Sequence, residues 1–210
     1  MKTNQEALFE PLRQVFGNLD FKTLPDARRA ALQPLIDYLR SRLQAGAAIR
    51  LNFICTHNSR RSHLSQAWAQ AAAAYYGIPG VACYSGGTEA TALFPEAARA
   101  LETAGFQVLQ LSQGPNPVYA IKYGANEPPV IGFSKTYDAA FNPRSGFAAV
   151  MTCSEADAGC PFVAGAEKRF PITYEDPKAF DGTPLQREKY LERSLQIATE
   201  MAFVFDSLTP

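Results

Sequence analysis

The chain of 210 residues is poor in cysteine, in histidine and in net charge, and each shortage closes off a class of function. Four cysteines, at 55, 83, 153 and 160, are too few and too unevenly spaced for a secreted disulfide scaffold. His57 and His63 are the only histidines and there is no CxxC pair, so the ligand set for a structural zinc is missing; no metal and no cofactor is expected. Twenty basic residues balance twenty acidic ones, which argues against a nucleic-acid or polyphosphate partner and leaves any positive potential local. No apolar run approaches the ~20 residues of a membrane span. The opening Met1-Lys-Thr-Asn-Gln-Glu6 has no apolar signal core, so a cytoplasmic protein without a membrane partner is expected.

What is present centres on residues 49 to 72. Ile49 to Ile54 reads as a buried strand and ends on Cys55, while Leu64, Ala67, Trp68, Ala71 and Ala72 form an apolar helical stripe. Between them lies Cys55-Thr56-His57-Asn58-Ser59-Arg60-Arg61-Ser62, a Cys-x5-Arg-Ser spacing. A loop wound round Cys55, with the first turn of the following helix, aims backbone N–H groups at one point and favours an anion there. The same field favours a thiolate at Cys55. Arg61 adds a planar fork for two oxygens of a tetrahedral oxyanion. Ser62 can donate to the sulfur and Asn58 can hold the loop. Thr56, His57, Asn58, Ser59 and Arg60 complete the expected oxyanion-binding set, with His57 either pointing outwards or tuning access and Arg60 adding a second charge.

The surrounding chain reads as an α/β protein. Residues 4–16 (Leu8, Leu12, Val15, Phe16) and 26–45 (Leu32, Leu35, Ile36, Leu39, Leu43) predict two amphipathic helices in an N-terminal extension, 1–46, packed on the main domain, 47–210, or on a dimer partner. Pro34 is expected to kink or divide the second helix. Val81 to Ser85 predicts a second strand holding Cys83 as an inert buried thiol, Glu96 to Ala104 a helix ended by Gly105, and Phe106 to Leu111 a third strand. That alternation predicts an open parallel sheet of about four strands with helices on both faces and the site beyond the strand C-termini.

An insertion, about 112–146, breaks the alternation. Val118 to Tyr123 and Val130 to Phe133 flank a Gly- and Pro-rich turn and predict a hairpin over the sheet edge. Its aromatics, Tyr119, Tyr123, Phe133 and Tyr137, read as packing more readily than as pocket walls. Phe147 to Thr152 is a further strand that delivers Cys153, and Phe170 to Tyr174 is a short run before Asp176-Pro177. Asp181 and Thr183 to Gln186 read as a turn and a helix cap before a last helix, about 184–207, facing Leu191, Leu195, Ala198, Ala202 and Phe205 to the sheet. If 153–160 were helical, Cys153 and Cys160 would stand ~10 Å apart, beyond the ~7 Å that a disulfide tolerates. The segment would have to unwind to join them, and Gly159 eases that.

Cys55 to Ser62 resembles the signature of the low-molecular-weight protein-tyrosine-phosphatase superfamily, which includes thioredoxin-coupled arsenate reductases. Ser85-Gly-Gly-Thr-Glu89 followed by Pro95-Glu-Ala-Ala is similar to that family's next strand and helix, and the resemblance covers about Arg50 to Leu111 and Phe147 to Pro177. Tyr174-Glu-Asp-Pro177 resembles the general-acid loop, with Asp176 as the matching residue. Cys153 to Cys160, with Pro161, resembles the redox segment of the arsenate reductases. The resemblance implies arsenate reduction in which Cys55 attacks the oxyanion, Asp176 protonates the departing oxygen, Cys153 and Cys160 relay the disulfide, and thioredoxin is the reductant. The alternative it implies is a phosphatase working through a phosphocysteine, for which Cys153 is dispensable. A non-catalytic oxyanion-binding module is the reading from a third class.

Overall fold

In a computed structural model, which describes residues 5–160 and 162–209, the elements run in chain order. They are α1 (Glu10–Asn18), α2 (Asp26–Gln44), β1 (Ile49–Cys55), α3 (Arg61–Tyr75), β2 (Val81–Gly87), α4 (Pro95–Ala104), β3 (Gln107–Gln110), β4 (Tyr119–Lys122), β5 (Val130–Gly132), β6 (Phe147–Met151), α5 (Ser154–Gly159), β7 (Ala166–Pro171) and α6 (Gln186–Asp206).

β1 is buried on both faces apart from Arg50, and β6 is buried and apolar throughout, as strands covered on both faces must be. They form the centre of a four-stranded sheet, order β2-β1-β6-β7, in which every pairing is parallel. The register sets Cys55 opposite Gly87 and Ile54 opposite Met151, so the ends of β2, β1 and β6 finish at one edge. Cys55 and the residues that follow the other strands therefore meet there, as expected of an open parallel sheet.

Phe106 to Leu111 does not supply a third parallel strand. Gln107–Gln110 pairs antiparallel with β4, and β4 with β5, in a separate three-stranded sheet. Gln107, Leu109 and Gln110 are exposed, a pattern that suits a strand covered on one side only. The expected hairpin is real, as β4 and β5, and it extends β3 rather than the parallel sheet. The fourth parallel strand is β7, which begins before the predicted run from Phe170; as an edge strand it carries Glu167, Lys168 and Arg169 and hides its apolar signal.

The first two helices pack on the same chain. Leu12, Phe16, Leu32, Leu35, Ile36 and Leu39 are buried in one core with β1, α3 and α6, and the Phe16 ring stacks 4.7 Å from Tyr75 and meets Trp68 edge-on. Pro34 does not divide α2, which runs unbroken through it. α6 begins at Gln186, where the Thr183 hydroxyl donates to the Phe180 carbonyl instead of capping the helix, and the Gln186 side chain accepts from the Gly182 amide. Its buried face includes Tyr190, Ser194, Ile197, Ala198, Met201 and Phe205, so Leu191 and Leu195 lie on the shoulder, half-buried. Among the described residues no helix is long and apolar enough to cross a membrane.

Candidate active site

The loop from Cys55 to Arg60 joins β1 to α3, and its carbonyl groups are turned outwards onto fixed donors. The Cys55 and Thr56 carbonyls accept from the amides of Thr88 and Glu89, 3.1 and 2.8 Å away. Ser134 and Thr91 hydroxyls donate to the His57 carbonyl at 2.9 and 3.2 Å, and the Phe94 amide donates to the Ser59 carbonyl at 2.9 Å. With the carbonyls committed outwards, the amides face the other way: among the described residues none of the amides of Thr56 to Arg60 donates to a protein acceptor. Such a row of unpaired N–H groups, continued by the start of a 15-residue helix, is an anion cradle.

Asn58 fixes the curvature. It is the one non-glycine residue with positive φ, 43°, among those described, a conformation that asparagine tolerates better than most. Its carboxamide oxygen accepts from the Lys135 amide at 3.0 Å and its nitrogen donates to Ser62 Oγ at 2.9 Å. Because Ser62 Oγ already accepts from Asn58, its own hydrogen is free to point at Cys55 Sγ, 3.1 Å away. Gly87, at the end of β2, lies so close beneath the loop that a Cβ there would run into the backbone of Thr56, Asn58 and Glu89.

Arg61 is nearly buried, with one guanidinium nitrogen 2.9 Å from the Tyr174 carbonyl and the other 2.6 Å from Asp176 Oδ2. Asp176 is itself held by the Lys178 amide, which donates to Oδ1 at 3.0 Å at the start of a short turn of helix. Asp176 is thus brought to the loop through Arg61. Arg60 is engaged elsewhere. It donates to the Tyr190 hydroxyl at 2.6 Å and to Asp181 at 2.8 Å, and its guanidinium lies 4.1 Å over the Phe94 ring. Asp181 bonds Arg60 and Tyr190, not Arg61; it anchors the loop's rim to α6, where burial pushes the Tyr190 phenol up. His57 points outwards, half exposed, 3.7 Å from Glu89.

Residues 50–122 match the family model "Low molecular weight phosphotyrosine protein phosphatase". The fold is that of the low-molecular-weight phosphatases. A low molecular weight phosphotyrosine phosphatase from Vibrio cholerae O395 superposes with a TM-score of 0.50 at 14% identity, over 75% of this chain and 94% of its own. An arginine phosphatase from Geobacillus stearothermophilus gives 0.48 at 17%, over 76% and 92%, and an arsenate reductase from Archaeoglobus fulgidus 0.40 at 18%, over 72% and 98%. No curated protein matches the chain.

On this phosphatase fold the remaining cysteines divide into two kinds. Cys83, in β2, belongs to the main core, where burial pushes its thiol far up. Cys153 and Cys160 pack with Cys55 in a second, smaller cluster with Ile54, Met151, Ala156 and Val163. Cys153 caps α5 and is wholly buried, its sulfur accepting from the Ala156 amide at 3.4 Å and lying 3.5 Å from the Thr56 hydroxyl. Cys160 ends the same helix and is partly exposed. All four cysteines are free. Ser134, Lys135, Thr91 and Gly87, which shape the loop from the insertion and from β2 and the residues after it, went unrecognised in the sequence; the Gly86-Gly87 pair at a strand end was the one signal of a close backbone approach.

Proposed function

We propose that the protein reduces arsenate to arsenite by a three-cysteine relay. The observation that carries this reading is Cys153: a fully buried sulfur, in contact with the residue next to Cys55 and clustered with both Cys55 and Cys160. A phosphate-ester hydrolase has no use for it.

The chemistry runs in three displacements. The Cys55 thiolate attacks arsenic held by the loop amides and Arg61, and an oxygen departs as water with a proton from Asp176, leaving a sulfur–arsenic bond. The Cys153 thiolate then attacks Cys55 Sγ; a sulfur–sulfur bond forms, the sulfur–arsenic bond breaks, and its electron pair leaves on arsenic as arsenite. The Cys160 thiolate attacks Cys153 Sγ, freeing Cys55 as thiolate and moving the disulfide to 153–160, where an external dithiol of the thioredoxin type reduces it by exchange. Phosphorus(V) cannot take the electron pair in water, so a phosphocysteine would only be hydrolysed.

The second reading, hydrolysis of phosphate esters, is favoured by the family whose model the loop region matches. One variant separates the two. Cys153→Ser should abolish arsenite release under single turnover while leaving aryl phosphate hydrolysis, where the wild type has it, within about threefold. Arsenite release that persists in Cys153→Ser rejects the relay.

A further inference from the structure

Lys135 lies in the insertion, directly behind the loop, and its side chain is unusual for a lysine. It is 4% exposed, yet among the described residues no carboxylate pairs with it. Its ammonium donates to the Phe133 carbonyl at 3.2 Å and sits 4.4 and 5.3 Å from the Phe133 and Phe141 ring centres, contacts that stabilise a cation without neutralising it. The titratable group facing it is His63, in the first turn of α3, which adds no negative charge. The Lys135 amide holds the Asn58 carboxamide, and the Lys135 carbonyl accepts from the Gly87 amide at 2.8 Å.

We propose that the Lys135 ammonium acts on the oxyanion loop through its charge: an unneutralised cation built in behind Asn58 whose counter-charge is the anion that the loop binds. The inference rests on reading the Cys55 loop as an oxyanion site, and it holds for either substrate class. Burying an unpaired ammonium destabilises the empty protein, and an anion held by the loop would offset part of that cost by Coulomb attraction. The backbone contacts to Asn58 and Gly87 do not depend on the side chain, so a neutral side chain of similar length removes the charge and leaves the loop's shape. Burial lowers the pKa of Lys135 to about 8, which gives the charge a signature within reach of experiment.

The test is tungstate binding by calorimetry, tungstate being a tetrahedral dianion whose charge is constant from neutral to alkaline pH. Cys55→Ser serves as the parent, so that thiol titration does not contribute. We expect the parent to lose roughly tenfold in affinity as pH rises through about 8. Adding Lys135→Met should weaken binding by roughly the same factor at neutral pH and flatten the pH profile, with an equal or higher melting temperature. Lys135→Arg should restore the neutral-pH affinity without the fall near 8. If Lys135→Met binds as tightly as the parent, or loses affinity together with melting temperature and keeps the parent's pH profile, the proposal fails. If the parent binds no tungstate at all, the failure lies instead with the oxyanion reading of the loop, and with it the proposal.

Discussion

His63 shows how much the residues behind the loop are held against water. Its ring is buried, with Nδ1 3.3 Å from Ser85 Oγ and Nε2 without a partner among the described residues. Burial first, and the Lys135 charge second, lower its pKa to about 3. In the unfolded chain it takes a proton near its ordinary 6.5, whereas the folded form resists protonation down to about 3. The unfolded state therefore binds more protons throughout that window, and stability falls as pH drops from about 6.5 towards 3. Unfolding free energies from urea titrations at about pH 7 and pH 5 should differ by about 2 kcal/mol more in the wild type than in His63→Gln. The division between legible and illegible residues follows the same geography. Cys55, Asn58, Arg61 and Ser62 could be read because their chemistry is local and set by spacing within eight positions. Ser134 and Lys135 could not, since they reach His57 and Asn58 across 77 positions through backbone and hydroxyl contacts that leave no periodic trace.

At the scale of one element, the proposed relay depends on α5. It is six residues long and closes with the Asp157 amide on the Cys153 carbonyl and the Cys160 amide on the Ala156 carbonyl, both 3.0 Å, while Arg169 of β7 holds Asp157. As a helix it keeps Cys153 and Cys160 at opposite ends, so a 153–160 disulfide requires it to open. Gly159 stands in its last position with nothing within 4 Å of a Cβ placed there, so alanine fits and stabilises the closed helix. Gly159→Ala should slow formation of the 153–160 disulfide by up to about fivefold while leaving the 55–153 step unchanged, as followed by quenched-flow mass mapping of the linked pairs. Cys-x6-Cys gave the need to unwind only on the condition that the segment is helical, and 154–159 is a helix. β7, whose Arg169 holds α5, was misplaced because an edge strand bearing Glu167, Lys168 and Arg169 shows no apolar run, and β3 was misassigned because a short apolar run does not say which sheet it joins.

At the scale of the whole molecule, Arg28 ties the N-terminal helices to the segment beside the site. Arg28 of α2 bonds Glu200 of α6 with two nitrogens, at 2.9 and 2.5 Å, and donates to the Thr173 carbonyl at 3.0 Å. Glu200 is fully buried, and Thr173 precedes Tyr174, whose carbonyl holds Arg61. Arg28→Ala would leave a buried carboxylate without its arginine and release the segment that carries Asp176. A loss of about 3 kcal/mol in unfolding free energy is expected, together with a lower turnover rate than that of Glu200→Gln; equal turnover would separate the helix from the segment that carries Asp176. The sequence announced these helices through their 3.6-residue stripe, but a single arginine on a polar face gives no hint of a partner 172 positions away.

The loop is held by β2, by the insertion and, through Arg60 and Arg61, by α6 and the segment after β7, whereas the later sulfurs arrive on β6 and α5. The loop and the later cysteines thus hang largely on different elements, with the Thr56–Cys153 contact between them. Loss of Cys153 and Cys160 would leave the loop's own anchors in place, while damage to the insertion would loosen the loop itself, whichever of the two proposed reactions it serves.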